Sequence, residues 1–524
     1  MTSGQINHYA RSTILMTLAL VSGLFFLQAR AYAQGEAQQI INDAANALGG
    51  REKVLAARTL VLEGGGHDFS AGQGLRWDEL GVLAAVMQIR DYKRIYDLMN
   101  GRIRIEMTHQ REYIEFQGEG AIHEVQCLDS NVAFNVAENG NATRVFGQGQ
   151  VEARRVEYLR NPLTLVRAAL DPAAKLTNVR TEGNERLVDV TIGKITLTAA
   201  FDNATKLPTR VVQMTDSATL GDTPVETSFS EYKAVSGLRM PTRFATKLDR
   251  FASAEIRIQR QAVNVDIGDL AAPPDVASAT PPAPAQPSPA PAQEIAKGIW
   301  FVTGTTHHSL LVEFSDHMLL LEAPNVERTL AVMAKAKELR PNKPVTVLLV
   351  THHHSDHTDG IRTAVALGVT QIITHKSNVA LLDEIFKRPH TINPDLFSKT
   401  PGAKAPKITA IDDEGVVKDG TMTINLYHLL ENSHADSQLL IYFPQGRILT
   451  QADDYSPGDL RYIIPGEPLG HAPWNQNLLG NINYRKLQVE YMAPIHGDVV
   501  PYSQFLENAI TMTQNLPKGD QANK

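Results

Sequence analysis

The sequence predicts a protein of mixed class, α+β and α/β, in which a β-rich first half is joined to a layered second half. Three observations carry that prediction. A proline-rich segment divides the chain, the residues before it alternate with strand period, and the residues after it alternate strands with helices. The segment is "PPDVASATPPAPAQPSPAPA", residues 273 to 292, with eight of the 28 prolines and only Asp275 charged. Such a stretch cannot build a core and reads as a semi-rigid polyproline spacer, so a linker over 273–293 is expected. It leaves units over 34–272 and 294–524, each expected to fold independently. A chain of 524 residues is long enough for two or three domains.

The first 33 residues stand apart. Arg11 precedes the apolar run "STILMTLALVSGLFFL" (12–27), and "AYA" (31–33) offers small residues for cleavage. That order reads as a secretory signal peptide, with a mature chain starting near Gln34. The run is shorter than the roughly 20 residues that span a bilayer. A periplasmic or secreted location is therefore expected.

The first unit opens with a predicted helix, "EAQQIINDAANALGG", with Ile40, Ala44 and Leu48 as its apolar stripe. Alternating segments follow: "RIRIEMTH", "REYIEFQ", "RLVDVTIG", "ITLTAAFD", "LPTRVVQM" and "AEIRIQRQ". One helix is predicted at "YLRNPLTLVRAAL". A curved antiparallel sheet with a helix or two on one face results. The phrases "FDNATKLPTRVV" and "YKAVSGLRMPTRF" resemble those of periplasmic lipoprotein-carrier domains. The resemblance implies contact with a lipid or an envelope protein.

The second unit begins with strands "IWFVTG", "SLLVEF" and "HMLLLEAP", then a helix over "NVERTLAVMAKAKEL". Strand "VTVLLVT" runs into a helix at "GIRTAVALG"; strands "TINLYHLL", "QLLIYFP" and "RILTQAD" precede two closing helices. Thirteen of the 17 histidines fall here, so chemistry is sought in this half. The net charge of −7 offers no basic footprint for nucleic acid. The single cysteine, Cys127, excludes an intramolecular disulfide and reads as a small core residue.

The stretch "LLVTHHHSDHTDG" (348–360) holds four histidines and two aspartates after an apolar run. Along an extended chain, residues two apart face the same side, so His352 and His354 converge and His353 turns away. After a turn, Asp356 and His357 reach a point a few ångströms further on. Neutral imidazole and carboxylate are ligands that zinc accepts. Finding His-x-His-x-Asp-His by accident is on the order of one in a thousand per chain. Two metals sharing one hydroxide could be held by sets so placed.

That pattern resembles the signature of the metallo-β-lactamase superfamily, and the resemblance spans 294–524. It implies an αβ/βα four-layer sandwich. It also implies further ligands: His434 in "ENSHADSQLLIYFP", Asp453 in "GRILTQADDY" and His496 in "MAPIHGD". The implied first site is His352, His354 and His434. The second is Asp356, His357 and His496, with Asp453 bridging. Asp454 would face away, solvated or in a turn hydrogen bond. His353 is a bystander in this scheme. His307, His308, His375 and His428 take surface or packing roles, and His471, in "GEPLGHAPWN", is a candidate for lining the substrate cleft. Glu322 stands where the family often has an aspartate, and Asp359-Gly360 where it has Gly-Gly. Zinc β-lactamases of the main subclass place a cysteine at the position of Asp453, which speaks against a drug-hydrolysing enzyme of that subclass here.

The implied function is an exported zinc-dependent hydrolase with two Zn²⁺, Fe or Mn being alternatives. It would turn a metal-bound hydroxide on an ester, thioester, lactone or lactam-type bond of a small-molecule substrate. Asp356 would orient the hydroxide and carry a proton to the leaving group. Two rival readings stand beside it: a lipid or lipoprotein carrier with an accessory metal domain, and a mononuclear iron dioxygenase acting on sulfur compounds.

Overall fold

Thirteen strands of the first half form a single antiparallel sheet built from two ribbons, the second skipping the separate hairpin of Lys233–Val235 and Leu238–Met240. One runs from Thr59–Ser70 outward to Ala142–Arg144, the other from Phe251–Val263 outward to Lys175–Glu182. They meet where Thr59–Ser70 pairs with Phe251–Val263. The computed structural model describes residues 34–70, 72–78, 85–111, 121–147, 149–283, 289–457 and 472–514. The leader, His471 and the strand expected beyond Arg111 lie outside those residues.

Curvature comes from "EGGG". The register shifts at Glu63/Gly64 and again at Gly64/Gly66, and bulges of this kind bend a sheet. A Cβ on Gly64 would sit 2.0 Å from the Arg257 carbonyl, and one on Gly66 1.9 Å from that of Glu255. Only glycine allows strands to approach so closely. Helices over 34–47, Gln150–Leu159 and Pro162–Ala169 cover one face. Their Ile41, Leu48, Leu159 and Leu163 share a core with Leu60, Tyr96 and Val188 of the sheet. The single helix expected over 158–170 is two. Asn161 accepts a hydrogen bond from the Leu163 amide at 2.9 Å, and Pro162 takes the first helical position. Proline has no amide to continue the preceding helix, but it suits the start of the next.

The second half contains two sheets. Seven strands, from Ala292–Ala296 to Lys407–Ile411, follow sequence order. The last four are mutually parallel, including Val345–Leu349. Six more, from Glu414–Lys418 to Val500–Pro501, form the second sheet. Leu310, Leu321 and Leu349 of one sheet meet Ile424, Leu439 and Ile441 of the other. Outside, Val332, Ile361 and Leu382 pack helices onto the first sheet. Leu478, Ile482 and Phe505 pack Ala472–Tyr484 and Tyr502–Gln514 onto the second. The result is the four-layer helix–sheet–sheet–helix arrangement.

The proline-rich segment is not a bare spacer. Its start forms a short helix, Pro274–Ser278, and Val276 packs on Val125, Cys127 and Phe134. Arg144 donates to the Ala277 and Ala279 carbonyls at 2.8 and 2.9 Å. Its end enters the strand Ala292–Ala296. Nor do the halves stand apart. Arg250 makes a bidentate pair with Glu384 at 2.9 and 3.0 Å, and Arg388 reaches back to Asp249. Asp222 accepts from the Thr391 and Ile392 amides and donates its own amide to the Pro389 carbonyl at 2.8 Å. Gly221, at φ +65°, lies so close that a Cβ would be 2.2 Å from the Pro389 carbonyl oxygen. Proline-rich composition identifies where a chain lacks its own core; it carries no information on side chains elsewhere that dock the flanking units.

Proteolytic nicking near residue 283 is therefore expected to leave both halves co-eluting in size exclusion at moderate salt. Gly221→Ala should weaken that association, because the alanine must both clash with the Pro389 carbonyl and hold positive φ. Two separate monodisperse peaks from nicked wild type would count against this docking.

Candidate metal centre

The expected ligands arrive on loops at strand ends. His352, His354, Asp356 and His357 follow the strand Val345–Leu349, the last two on the short helix Ser355–Thr358. His434 follows Thr423–His428, Asp453 follows Ile448–Thr450, and His496 follows Tyr491–Met492. His307 follows Ile299–Val302. Gly360 lets the turn after the signature pack down, since a Cβ there would meet Thr329 Oγ1 at 2.1 Å.

All seven sequence-predicted residues come together, with Asp453 at the middle. Its Oδ2 lies 3.4 Å from both His352 Nε2 and His434 Nε2, and those two nitrogens are 3.3 Å apart. Two donors at zinc distance in a tetrahedral shell are separated by about 3.3 Å. His354 joins this group. Its Nε2 donates to the Gly74 carbonyl at 3.0 Å, which leaves Nδ1 as the donor lone pair. On the other side, Asp453 Oδ2 is 3.1 Å from His357 Nε2 and Oδ1 is 3.0 Å from His496 Nε2. His307, His357 and His496 form a further group that could hold a metal. Asp356 Oδ2 lies 3.2 Å from His307 Nε2 and 3.8 Å from His357 Nε2.

The donors fit metal rather than one another. Asp453 Oδ2, His357 Nε2 and His496 Nε2 are buried and complete no hydrogen bond of acceptable geometry, despite contacts near 3 Å. Buried polar atoms left in that state are rare unless something else binds them. His352, His354 and His434 with Asp453, and His357, His496 and Asp356 with Asp453, are nitrogen and oxygen sets suited to zinc, iron or manganese.

Outer partners fix the orientation of each ring. Glu322 Oε2 bonds His357 Nδ1 at 2.7 Å while its Oε1 accepts the Thr351 amide at 2.8 Å. The Glu322 backbone holds φ +72°, an uncommon conformation for a side-chain-bearing residue, next to the centre. So the longer carboxylate does reach a ligand from behind. His496 Nδ1 bonds the Thr306 carbonyl at 2.9 Å, and Thr351 Oγ1 bonds His352 Nδ1 at 3.0 Å. The Trp474 ring packs edge-on against His434, with centroids 4.5 Å apart. Asn432 Oδ1 accepts the His434 and Ala435 amides, fixing that loop.

Burial, aided by repulsion from neighbouring imidazoles, holds His352 and His354 well below the ordinary histidine value. They are therefore neutral, the ligand form. Burial opposes charge on His357 and His434 as well. For these two the Asp453 carboxylate outweighs it and raises the pKa. Burial likewise opposes ionisation of Asp453, and the surrounding His357, His434 and His496 overcome it, keeping it well below the usual carboxylate range.

Three sequence expectations change. His307 does not take the surface or packing role expected: its ring lies 4.3 Å from that of His496 and it bonds Asp356. His353 avoids the cluster but is not idle, bridging Ser437 Oγ and the Gly74 carbonyl at 3.0 Å each. Asp454 is not solvated. It is fully buried, bonded by Asn432 and by Gln438 Nε2 at 2.8 Å, and burial pushes its carboxyl up to about 7. The strand ends at Thr450, so strand alternation no longer decides where 453 and 454 point. His308 packs on Phe301, and His375 stacks on His428, as expected of packing roles.

No family model and no curated protein matches the chain. Solved structures of metallo-β-lactamase fold do. A metallo-β-lactamase from Pontibacter korlensis is 18% identical, covers 43% of this chain and 99% of its own, and has a TM-score of 0.34. One from Hirschia baltica is 18% identical over 43% of this chain and 98% of its own, with a TM-score of 0.31. The rubredoxin oxygen:oxidoreductase of Desulfovibrio gigas is 13% identical over 43% and 61%, with a TM-score of 0.35.

Asp453→Asn is expected to keep the fold and weaken metal binding at both groups, lowering any metal-dependent turnover by ~10²-fold or more. Asp454→Asn should act differently. Its new amide would face the Asn432 and Gln438 donors, costing about 1–3 kcal/mol of stability. Thermal melts with and without metal separate the two. Equal melting of Asp454→Asn and wild type would refute the buried role.

Proposed function

We propose that the chain is an exported metal-dependent hydrolase with a dinuclear centre, acting on an ester, thioester, lactone or lactam-type bond of a small molecule. One observation carries this: a single buried carboxylate, Asp453, presents one oxygen to His352, His434 and His357 and the other to His496. Divalent metal held by these donors would lower the pKa of a water towards 7 and polarise a scissile carbonyl oxygen. The protein groups do the rest. Glu322, Thr351 and Thr306 hold the imidazoles in one tautomer and direction. Asp356 is the half-exposed acid at the rim, its Oδ2 on the His307 side and its Oδ1 bonded by Gln73. From there it orients a water and passes a proton to the leaving group.

The donor set alone does not select between zinc and iron. A mononuclear iron dioxygenase would use one group and leave the other idle. Elemental analysis of the full chain is expected to give a ratio near two metals per protein. Chelation should abolish hydrolysis across a panel of esters, thioesters, lactones and lactams, and divalent metal should restore it. A saturated ratio of one, with oxygen consumed on sulfur substrates, would replace this reading with the dioxygenase.

A further inference from the structure

The metal centre draws on a loop of the other half of the chain. We infer that residues 72–78, which follow the strand Thr59–Ser70 of the first unit, are a structural part of the centre, and that Gln73 is a positioning residue for Asp356. The inference rests on the dinuclear reading above.

Three successive residues of this loop each bond a ligand-bearing segment. Gln73 Nε2 donates to Asp356 Oδ1 at 2.9 Å and to Ser355 Oγ at 3.0 Å. The buried Gly74 carbonyl accepts from His353 Nε2 and His354 Nε2, both at 3.0 Å. The Leu75 carbonyl accepts the Asp436 amide at 2.8 Å, two residues beyond His434. Below them, His353 Nδ1 bonds Ser437 Oγ. One loop thus ties the segment carrying His352 to His357 to the segment carrying His434.

Each bond has a consequence for ligation. With Nε2–H of His354 committed to the Gly74 carbonyl, the lone pair sits on Nδ1, on the side of the cluster. With Oδ1 of Asp356 bonded by the Gln73 amide, the carboxylate cannot rotate freely, and Oδ2 stays beside His307 and His357. Ring and carboxylate orientation of this kind is worth 10–100-fold in metal affinity elsewhere. The docking surface formed by Arg250, Glu384 and Asp222 therefore has a purpose beyond stability: it holds the loop against the ligands.

The test uses the full chain loaded with zinc and then cobalt(II), in wild type, Gln73→Ala and Gln73→Glu. Competition against a chromophoric chelator reads the affinity of each site, cobalt absorption reads its geometry, and metal-free melting reads the fold. Gln73→Ala should weaken one site by about 10-fold or more with the metal-free melt unchanged. Gln73→Glu should weaken it further, since it keeps the volume but sets a second carboxylate against Asp356. If Gln73 merely fills space, Glu will resemble wild type and Ala will be the worse variant, and the inference falls. Two metals bound alike by all three proteins would also overturn it while leaving the hydrolase reading intact. A wild type that binds no metal would remove both.

Discussion

The constraint on which the centre depends is the burial of one carboxylate. Asp453 is only 16% exposed, and its two oxygens meet four imidazole nitrogens at 3.0–3.4 Å. A charge taken out of water costs several kcal/mol unless it is compensated. Without metal, the compensation available is protonation, and the raised values of His357 and His434 are that response. Cations held there would replace those protons. His352 and His354 respond otherwise: burial first, and then repulsion from the imidazoles around them, holds both neutral.

A centre of this sort needs rigid support, and the second half supplies it in two layers. The sheets meet through Leu349, Ile441 and Ile495, directly beneath the loops that carry the ligands. Behind the rings stand Glu322, Asn432 and Trp474, all nearly buried. Support from the first half comes across the unit boundary, through glycine-dependent approach at Gly221 and through the carbonyls of Gly74 and Leu75. The large curved sheet thus bears on the candidate centre by where it places the loop 72–78 and the hairpin of Pro208–Ser217 and Gly221–Ser230. Asp359 shows the same coupling: Thr219 of that hairpin donates to it, and burial pushes its carboxyl up to about 6.

Much of the centre was legible because its signal is local. His352, His354, Asp356 and His357 lie within six residues, and strand period plus one turn predicts their convergence. His434, Asp453 and His496 were reached through family resemblance, Asp453 with the support of the strand before it. His307 carried no spacing signal, since the adjacent His308 has an equal claim by sequence and only packing separates them: His308 is fixed by the Gly304 amide and Phe301. Gln73 and Gly74 were illegible for a stronger reason. Their partners are some 280 positions away, and a hydrogen bond to a carbonyl leaves no trace in side-chain type. The short strands Gln371–His375 and Lys407–Ile411 went unread for a similar cause, being fixed by pairing with neighbours rather than by length or alternation.

The adjacent pair Asp453-Asp454 carries the argument furthest. Two carboxyls one residue apart, both buried, are pushed in opposite directions, one well below the ordinary range and one up to about 7. The backbone is the same; the surroundings differ. Asp453 faces imidazoles that can carry positive charge, whereas Asp454 faces the amides of Asn432 and Gln438, which are neutral donors. Asn432 uses its other side-chain atom to accept the amides of His434 and Ala435. Asp454 therefore reaches the centre through Asn432, steadying the backbone of the ligand that Asp453 meets from the front. A carboxyl with no place among the metal donors is still bound to their geometry, and that accounts for its burial better than any role at the surface.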